Sequence, residues 1–137
     1  MIKSINHIGI AVTDLDAAVE TFKKIFQFDS VHREIVEDQG IEVASFKVGN
    51  VLIELTLPIR EDSPIAKFIA KNNGKGGLHH IAFESDDVAS ELNRIQEAGI
   101  TLIDKAPRPG AHEMMIGFMH PKSTNGVLTE VCQPKKA

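Results

Sequence analysis

Residues 5–12 read INHIGIAV and residues 78–85 read LHHIAFES. In both, a His-Ile pair, His7-Ile8 and His80-Ile81, opens an apolar run of strand character, and acidic cap residues follow, Thr13-Asp14 and Ser85-Asp86. A helix fits after each. Leu15, Ala18, Val19, Phe22 and Phe26 share one helical face in the first copy, and Val88, Leu92 and Ile95 do so in the second, with Gly99 as a stop. Thr13 or Asp14, and Ser85 or Asp86, are the candidate N-caps.

A second echo lies further along each copy. Residues 51–55 read VLIEL after the turn pair Gly49-Asn50, and residues 127–131 read VLTEV after Asn125-Gly126. His7 precedes Glu54 by 47 positions and His80 precedes Glu130 by 50, so the repeat holds its spacing. Two more strand candidates fall inside each copy, residues 32–37 and 41–48 in the first, 101–105 and 114–119 in the second. The expected fold is therefore α+β: two pseudo-symmetric βαβββ modules forming a cupped mixed sheet with helices on its outer face. Module one covers about 4–58 and module two about 78–133. A linker helix at about 63–74 joins them, with Ser63 as N-cap, Pro64 in its first turn, and Ile65, Phe68 and Ile69 turned inward. Gly74, Gly76 and Gly77 read as a flexible hinge, and the tail after Val131 as frayed.

The 137 residues suit one domain with a real core, and 42% hydrophobic content suits a soluble one. A net charge of −4 gives no basic footprint for nucleic acid or for an anionic membrane. No apolar run has the length of a membrane span, and the start MIKSINH lacks the apolar stretch of a signal peptide. Cys132 is the single cysteine, so no internal disulfide forms, and the cytoplasm is the expected compartment. With no Trp or Tyr, polar chemistry falls to His, Glu, Ser, Thr and the backbone.

Glu54 and Glu130 each sit inside an apolar strand run, where a carboxylate is costly unless a cation or several donors compensate it. A lone strand Glu more often pairs with Lys or Arg across the sheet. Two equivalent copies, each matched to a strand-borne His, instead point to a metal site of His7, Glu54, His80 and Glu130. Alternation puts Glu54 with Leu52 on one face and Val51, Ile53 and Leu55 on the other, toward the helices. The set suits one divalent ion, Zn, Co, Ni, Mn or Fe. His79 and His80 face opposite ways, and the repeat favours His80. His32, His112 and His120 are loop or strand-end residues, and a segment with Pro107, Pro109 and Gly110 lies near the last two, from which either could reach a substrate.

These modules and their His/Glu frame resemble the vicinal oxygen chelate superfamily, and within it the methylmalonyl-CoA epimerase family over nearly the whole chain. GLHHIAF, DSPIAKF, RPGAH and HPKS-x-x-GVL carry the likeness together, whereas HIGIAV is common to many superfamily members. The resemblance implies metal ligands at His7, His80 and Glu130, and a homodimer acting on an acyl-CoA. It also implies a metal-dependent proton removal and return at the α-carbon of 2-methylmalonyl-CoA. Two departures matter. Some epimerases have Gln where this chain has Glu54, so the four-residue set is also similar to metal-dependent glyoxalase I. Some carry a catalytic Glu where aligning Gln39-Gly40 puts Val43, and the neighbouring Glu42 faces away unless a bulge intervenes. Glu130 and Glu54 are the expected pair of bases. A glyoxalase I-type lyase acting on a thiol hemithioacetal is the second reading, and a non-catalytic binding or resistance module the third. Lys67, Lys71, Lys75 and Lys122 are the candidates for the CoA phosphates.

Overall fold

The structure, a computed structural model, describes residues 1–135. Its elements in chain order are β1 (Ile2–Ala11), α1 (Leu15–Phe26), β2 (His32–Val36), β3 (Ile41–Val48), β4 (Val51–Pro58), α2 (Pro64–Lys71), β5 (Gly77–Ser85), α3 (Val88–Glu97), β6 (Arg108–Pro109), β7 (Met114–Met119) and β8 (Thr129–Pro134). They form two compact units, one of Ile8–His79 and one of Met1–His7 with the residues from His80 onward. The division falls inside β1 and β5, so the unit boundaries differ from those of the sequence repeat: the chain's first seven residues pack with its second half. A strand offers hydrogen bonds on both edges, so neighbours in sequence need not be neighbours in a unit.

In the unit Ile8–His79 the strand order is β2-β3-β4-β1, with β2, β3 and β4 antiparallel to one another. Val48 pairs with Val51 across the two-residue turn Gly49-Asn50, and Gly49 supplies the positive φ such a turn needs. One face of β3 and β4 presents Ala44, Phe46, Ile53, Leu55 and Leu57 to Leu15, Ala18, Val19 and Phe22 of α1. Burying a side chain such as Leu55 stabilises the unit by about 1.5–3 kcal/mol. Asp14 caps α1 by accepting from the Ala17 N–H at 3.1 Å. Ser63 caps α2 in the same way, accepting from Ala66 at 3.0 Å, and Pro64 opens the helix where its missing N–H costs nothing. Gly76 does not act as a free hinge: a Cβ there would lie 2.2 Å from the Ala11 carbonyl oxygen, so the glycine is needed for close packing.

In the other unit the order is β1-β5-β8-β7-β6, with β5 parallel to β8 and β8 antiparallel to β7. Helix α3 lays Val88, Leu92 and Ile95 on Leu102, Met119 and Val131. Gly117 leaves room for Leu92, whose Cδ1 would stand 2.7 Å from an added Cβ. The opposite face holds Ala82, Met114, Ile116, Phe118 and Cys132.

Three expectations are corrected here. The cap of α3 is Asp87, not Ser85 or Asp86: Asp87 accepts from Ser90, Ser85 accepts from Asp87, and the Val88 N–H is taken by the Gln133 side chain, which sets the first turn one residue later. Residues 101–105 are not a strand; only Leu102 bridges to Met119. The Asp104 carboxylate takes the Phe118 N–H at 2.9 Å, in place of a ladder carbonyl, and the strand is reduced to the Arg108–Pro109 pair beside β7. The chain beyond Val131 is ordered as far as it is described: β8 runs to Pro134, Cys132 is fully buried, and the Lys135 N–H donates to the Glu113 carbonyl at 2.8 Å.

Candidate metal centre

Strand pairing decides which side chains converge. In β5 and β8, Ala82 pairs with Glu130 and Glu84 with Cys132. Partners share a face, so His80, Ala82 and Glu84 lie on the same side as Glu130 and Cys132, while Val131 turns to α3. The apolar surface of α3 therefore fixes which way the site faces.

His7, at the end of the β1 segment in this unit, completes the cluster. Its Nε2 lies 3.1 Å from His80 Nε2 and 3.4 Å from Glu130 Oε2, and His80 Nε2 lies 3.5 Å from Glu130 Oε1. The two imidazoles meet edge to face with centroids 5.1 Å apart. The three residues are 5%, 7% and 2% exposed. Among the described residues, Glu130 Oε2 is the buried side-chain oxygen that has no hydrogen-bond partner. Leaving such an atom unsatisfied costs about 1–3 kcal/mol, and more for a charge.

A divalent ion fits this arrangement. Ligand atoms held about 2.1 Å from one ion stand about 3.0–3.4 Å apart at octahedral or tetrahedral angles, close to the separations seen. The donors, two imidazole nitrogens and a carboxylate, are those that borderline divalent ions take. Cys132 Sγ also lies within 4.8 Å of donor atoms of His7 and Glu130.

Three neighbours of the cluster escaped the sequence reading. Asn6 Oδ1 lies 2.7 Å from His7 Nδ1, and Asn6 Nδ2 donates to Glu84 Oε1 at 3.0 Å. The signal for Glu84 was its alternation with His80; for Asn6 it was only adjacency to His7. The third is Arg108, from the RPGAH stretch, with its guanidinium 5.5 Å above the Phe118 ring and its Nε donating to Asp104 at 2.8 Å. Phe118 in turn meets His80 edge to face at 5.6 Å.

Glu54 belongs to the other unit. It sits on β4, 5% exposed, opposite Ser45 and on the face that carries Val43 and Thr56. The β3–β4 register runs unbroken from Ile41–Pro58 to Val48–Val51, so β3 has no bulge and Glu42 is on the opposite face, with Ala44 and Phe46. There its Oε2 lies 3.5 Å from Arg33 Nε, and Arg33 also donates to Asp16. His79 packs edge-on to Phe68 at 5.1 Å, and burial pushes its pKa down to about 4. His32 lies beside Glu34 at 3.4 Å. His120 caps the turn Pro121–Ser123 by accepting from Lys122, and His112 takes a left-handed backbone, φ 58°. Lys67, Lys71, Lys75 and Lys122 are exposed. Among the described residues no helix is long and apolar enough to cross a membrane.

Comparison with known proteins places this chain in a family. The sequence profile of the Glyoxalase/Bleomycin resistance protein/Dioxygenase superfamily matches residues 6–118. Ethylmalonyl-CoA/methylmalonyl-CoA epimerase of Cereibacter sphaeroides is 38% identical over 134 residues, covering 97% of this chain and 99% of the relative. The mitochondrial methylmalonyl-CoA epimerase of Homo sapiens is 35% identical over 129 residues, 94% of this chain and 73% of that one. Among solved structures, a substituted Streptomyces coelicolor methylmalonyl-CoA epimerase in complex with 2-nitronate-propionyl-CoA has a TM-score of 0.91 at 39% identity, covering 98% of this chain and 96% of its own. The Mycobacterium tuberculosis methylmalonyl-CoA epimerase gives 0.91 at 35%, with 98% and 90% covered. The fold is that of these enzymes, and the chain belongs to the glyoxalase/bleomycin resistance/dioxygenase superfamily and, within it, to the methylmalonyl-CoA epimerase family.

Proposed function

We propose that this chain is a metal-dependent isomerase that epimerises 2-methylmalonyl-CoA by removing the α-proton and returning it to the opposite face. The observation that carries the reading is the buried cluster of His7, His80 and Glu130 with its unpartnered carboxylate oxygen, in a chain that aligns with named epimerases from end to end. His7, His80 and Glu130 would hold the ion, with Glu54 as the fourth ligand on the strength of the sequence repeat. A bound divalent ion supplies Lewis-acid polarisation of the thioester carbonyl, which makes the α-proton more acidic.

The chain's own residues move the proton. Glu130 is the first base; its environment, with few donors about the carboxylate, suits a group that accepts and gives back a proton. Glu54 is the second, since Val43 has no ionisable group and Glu42 is turned to the helix-facing side of β3. Apolar walls from Phe118, Ala82 and Ile116 keep the cluster dry, which strengthens each electrostatic contact within it. The protein is proposed to work as a homodimer, with exposed lysines available to the CoA phosphates.

The test is α-proton exchange of methylmalonyl-CoA in deuterated water, run beside a methylglyoxal–thiol assay. Deuterium at the α-carbon, interconversion of the two epimers and no thiol-dependent isomerisation are expected. Turnover of the hemithioacetal without exchange of methylmalonyl-CoA would replace this reading with a glyoxalase.

A further inference from the structure

We infer that Glu84 and Asn6 form a positioning relay that fixes the tautomer of His7 and so presents its Nε2 lone pair to the cluster. The inference rests on His7 being a metal ligand, and it concerns two residues outside the ligand set.

The polarity of the relay follows from donor chemistry. An ionised carboxylate only accepts, so the Asn6 group facing Glu84 Oε1 at 3.0 Å must be the amide NH2. That turns Asn6 Oδ1, which only accepts, toward His7 Nδ1 at 2.7 Å. His7 Nδ1 must then carry the hydrogen, and in the neutral ring Nε2 keeps its lone pair. Nε2 is the atom 3.1 Å from His80 Nε2 and 3.4 Å from the unpartnered Glu130 Oε2. A metal needs that lone pair, and the opposite tautomer would put a hydrogen where the ion binds. Without Glu84 the amide could reverse, with its NH2 donating to His7 Nδ1, and the wrong tautomer would be favoured. Glu84 is separated from Asn6 by 78 positions, so only the fold joins them. Both residues are half-buried, which protects the two hydrogen bonds from competition by water.

Outer hydrogen bonds to metal-bound histidines typically contribute 10–100-fold in metal affinity. Four variants test the relay: His7→Ala, Asn6→Leu, Asn6→Asp, and Asn6→Asp with Glu84→Gln. The first readout is 15N NMR of the His7 ring in metal-free protein, which reports the tautomer directly. The second is Co²⁺ affinity by competition with a chelating dye. Native protein should show hydrogen on Nδ1, Asn6→Leu should lose that signature, and its Co²⁺ affinity should fall about 10–100-fold. Asn6→Asp sets two carboxylates face to face and should also bind weakly. Adding Glu84→Gln restores a donor opposite the introduced carboxylate, so the double variant should keep the hydrogen on Nδ1, as Asn6→Asp itself does, and recover most of the affinity, which a purely structural defect would not do. Hydrogen on Nε2 in the native protein, or a double variant as weak as Asn6→Asp alone, overturns the relay. Unchanged Co²⁺ affinity in His7→Ala would instead sink the ligand assignment and leave the tautomer result standing by itself.

Discussion

Replacing Glu130 by Gln should make the metal-free protein more stable while disabling it. Glu130 is 2% exposed and its Oε2 has no hydrogen-bond partner among the described residues, although two imidazole nitrogens lie 3.4 and 3.5 Å from its oxygens. Leaving such an acceptor unsatisfied costs about 1–3 kcal/mol, and the buried charge adds to it. Gln removes the charge, and its NH2 can donate to the His7 Nε2 lone pair that the Asn6 contact leaves facing it. Metal-free Glu130→Gln should therefore gain about 1–3 kcal/mol. For a chain of this size that is a rise in Tm of about 3–10 °C. With Zn²⁺ or Co²⁺ at about 1,000 times its Kd the native protein gains about 4 kcal/mol by mass action. The variant, with a neutral amide in place of the carboxylate, should gain much less, so the two melting curves cross. Differential scanning calorimetry with and without metal measures all of this. A metal-free variant that melts below the native protein would mean the carboxylate is already satisfied without an ion, and one that gains as much from metal would mean the carboxylate is not a ligand; either refutes the reasoning.

His80→Ala should lose its metal by elemental analysis while His79→Ala keeps it, because alternation turns His79 to Phe68; the reverse would put the β5 register off by one. Glu54→Gln should cut epimerisation by roughly 10²–10⁴-fold, whereas Glu42→Gln, on the α1-facing side of β3, should stay within a few-fold of native in the same steady-state assay. A Glu54→Gln variant that epimerises normally beside a dead Glu42→Gln would reassign the second base. Burial holds the folded His79 pKa at about 4 against 6.5 for the free group. The unfolded chain then binds the extra proton first, so stability falls as pH drops from about 6.5 toward about 4, by at most about 3 kcal/mol. His79→Phe, which keeps an aromatic ring beside Phe68, should flatten that part of a urea-denaturation profile against pH; an unchanged slope would mean another group carries it.

The sequence by itself determined what short-range chemistry controls. The matched His-Ile openings and the VLIEL and VLTEV runs made the repeat visible. Alternation separated His80 from His79 and Glu54 from Ile53 and Leu55. Ser63-Pro64 marked the start of α2 because both the cap and the missing N–H act within one turn. The fit failed where a distant group took a local hydrogen bond. Gln133 occupies the Val88 N–H, and the cap is Asp87, the residue after the two candidates Ser85 and Asp86. The Asp104 carboxylate takes the Phe118 N–H and cancels an apolar stretch that reads as a strand. Glu113 holds Lys135 and orders a tail whose composition suggests fraying. The candidate centre divides the same way. Its candidate ligands were legible as residue types in a repeat, because a carboxylate in an apolar strand is conspicuous. That Glu130 shares a face with His80 depends on the pairing of Ala82 with Glu130. That His7 presents Nε2 depends on an amide oriented from 78 residues away. Hydrogen-bond polarity is passed from group to group through space, and no local pattern in the chain encodes it.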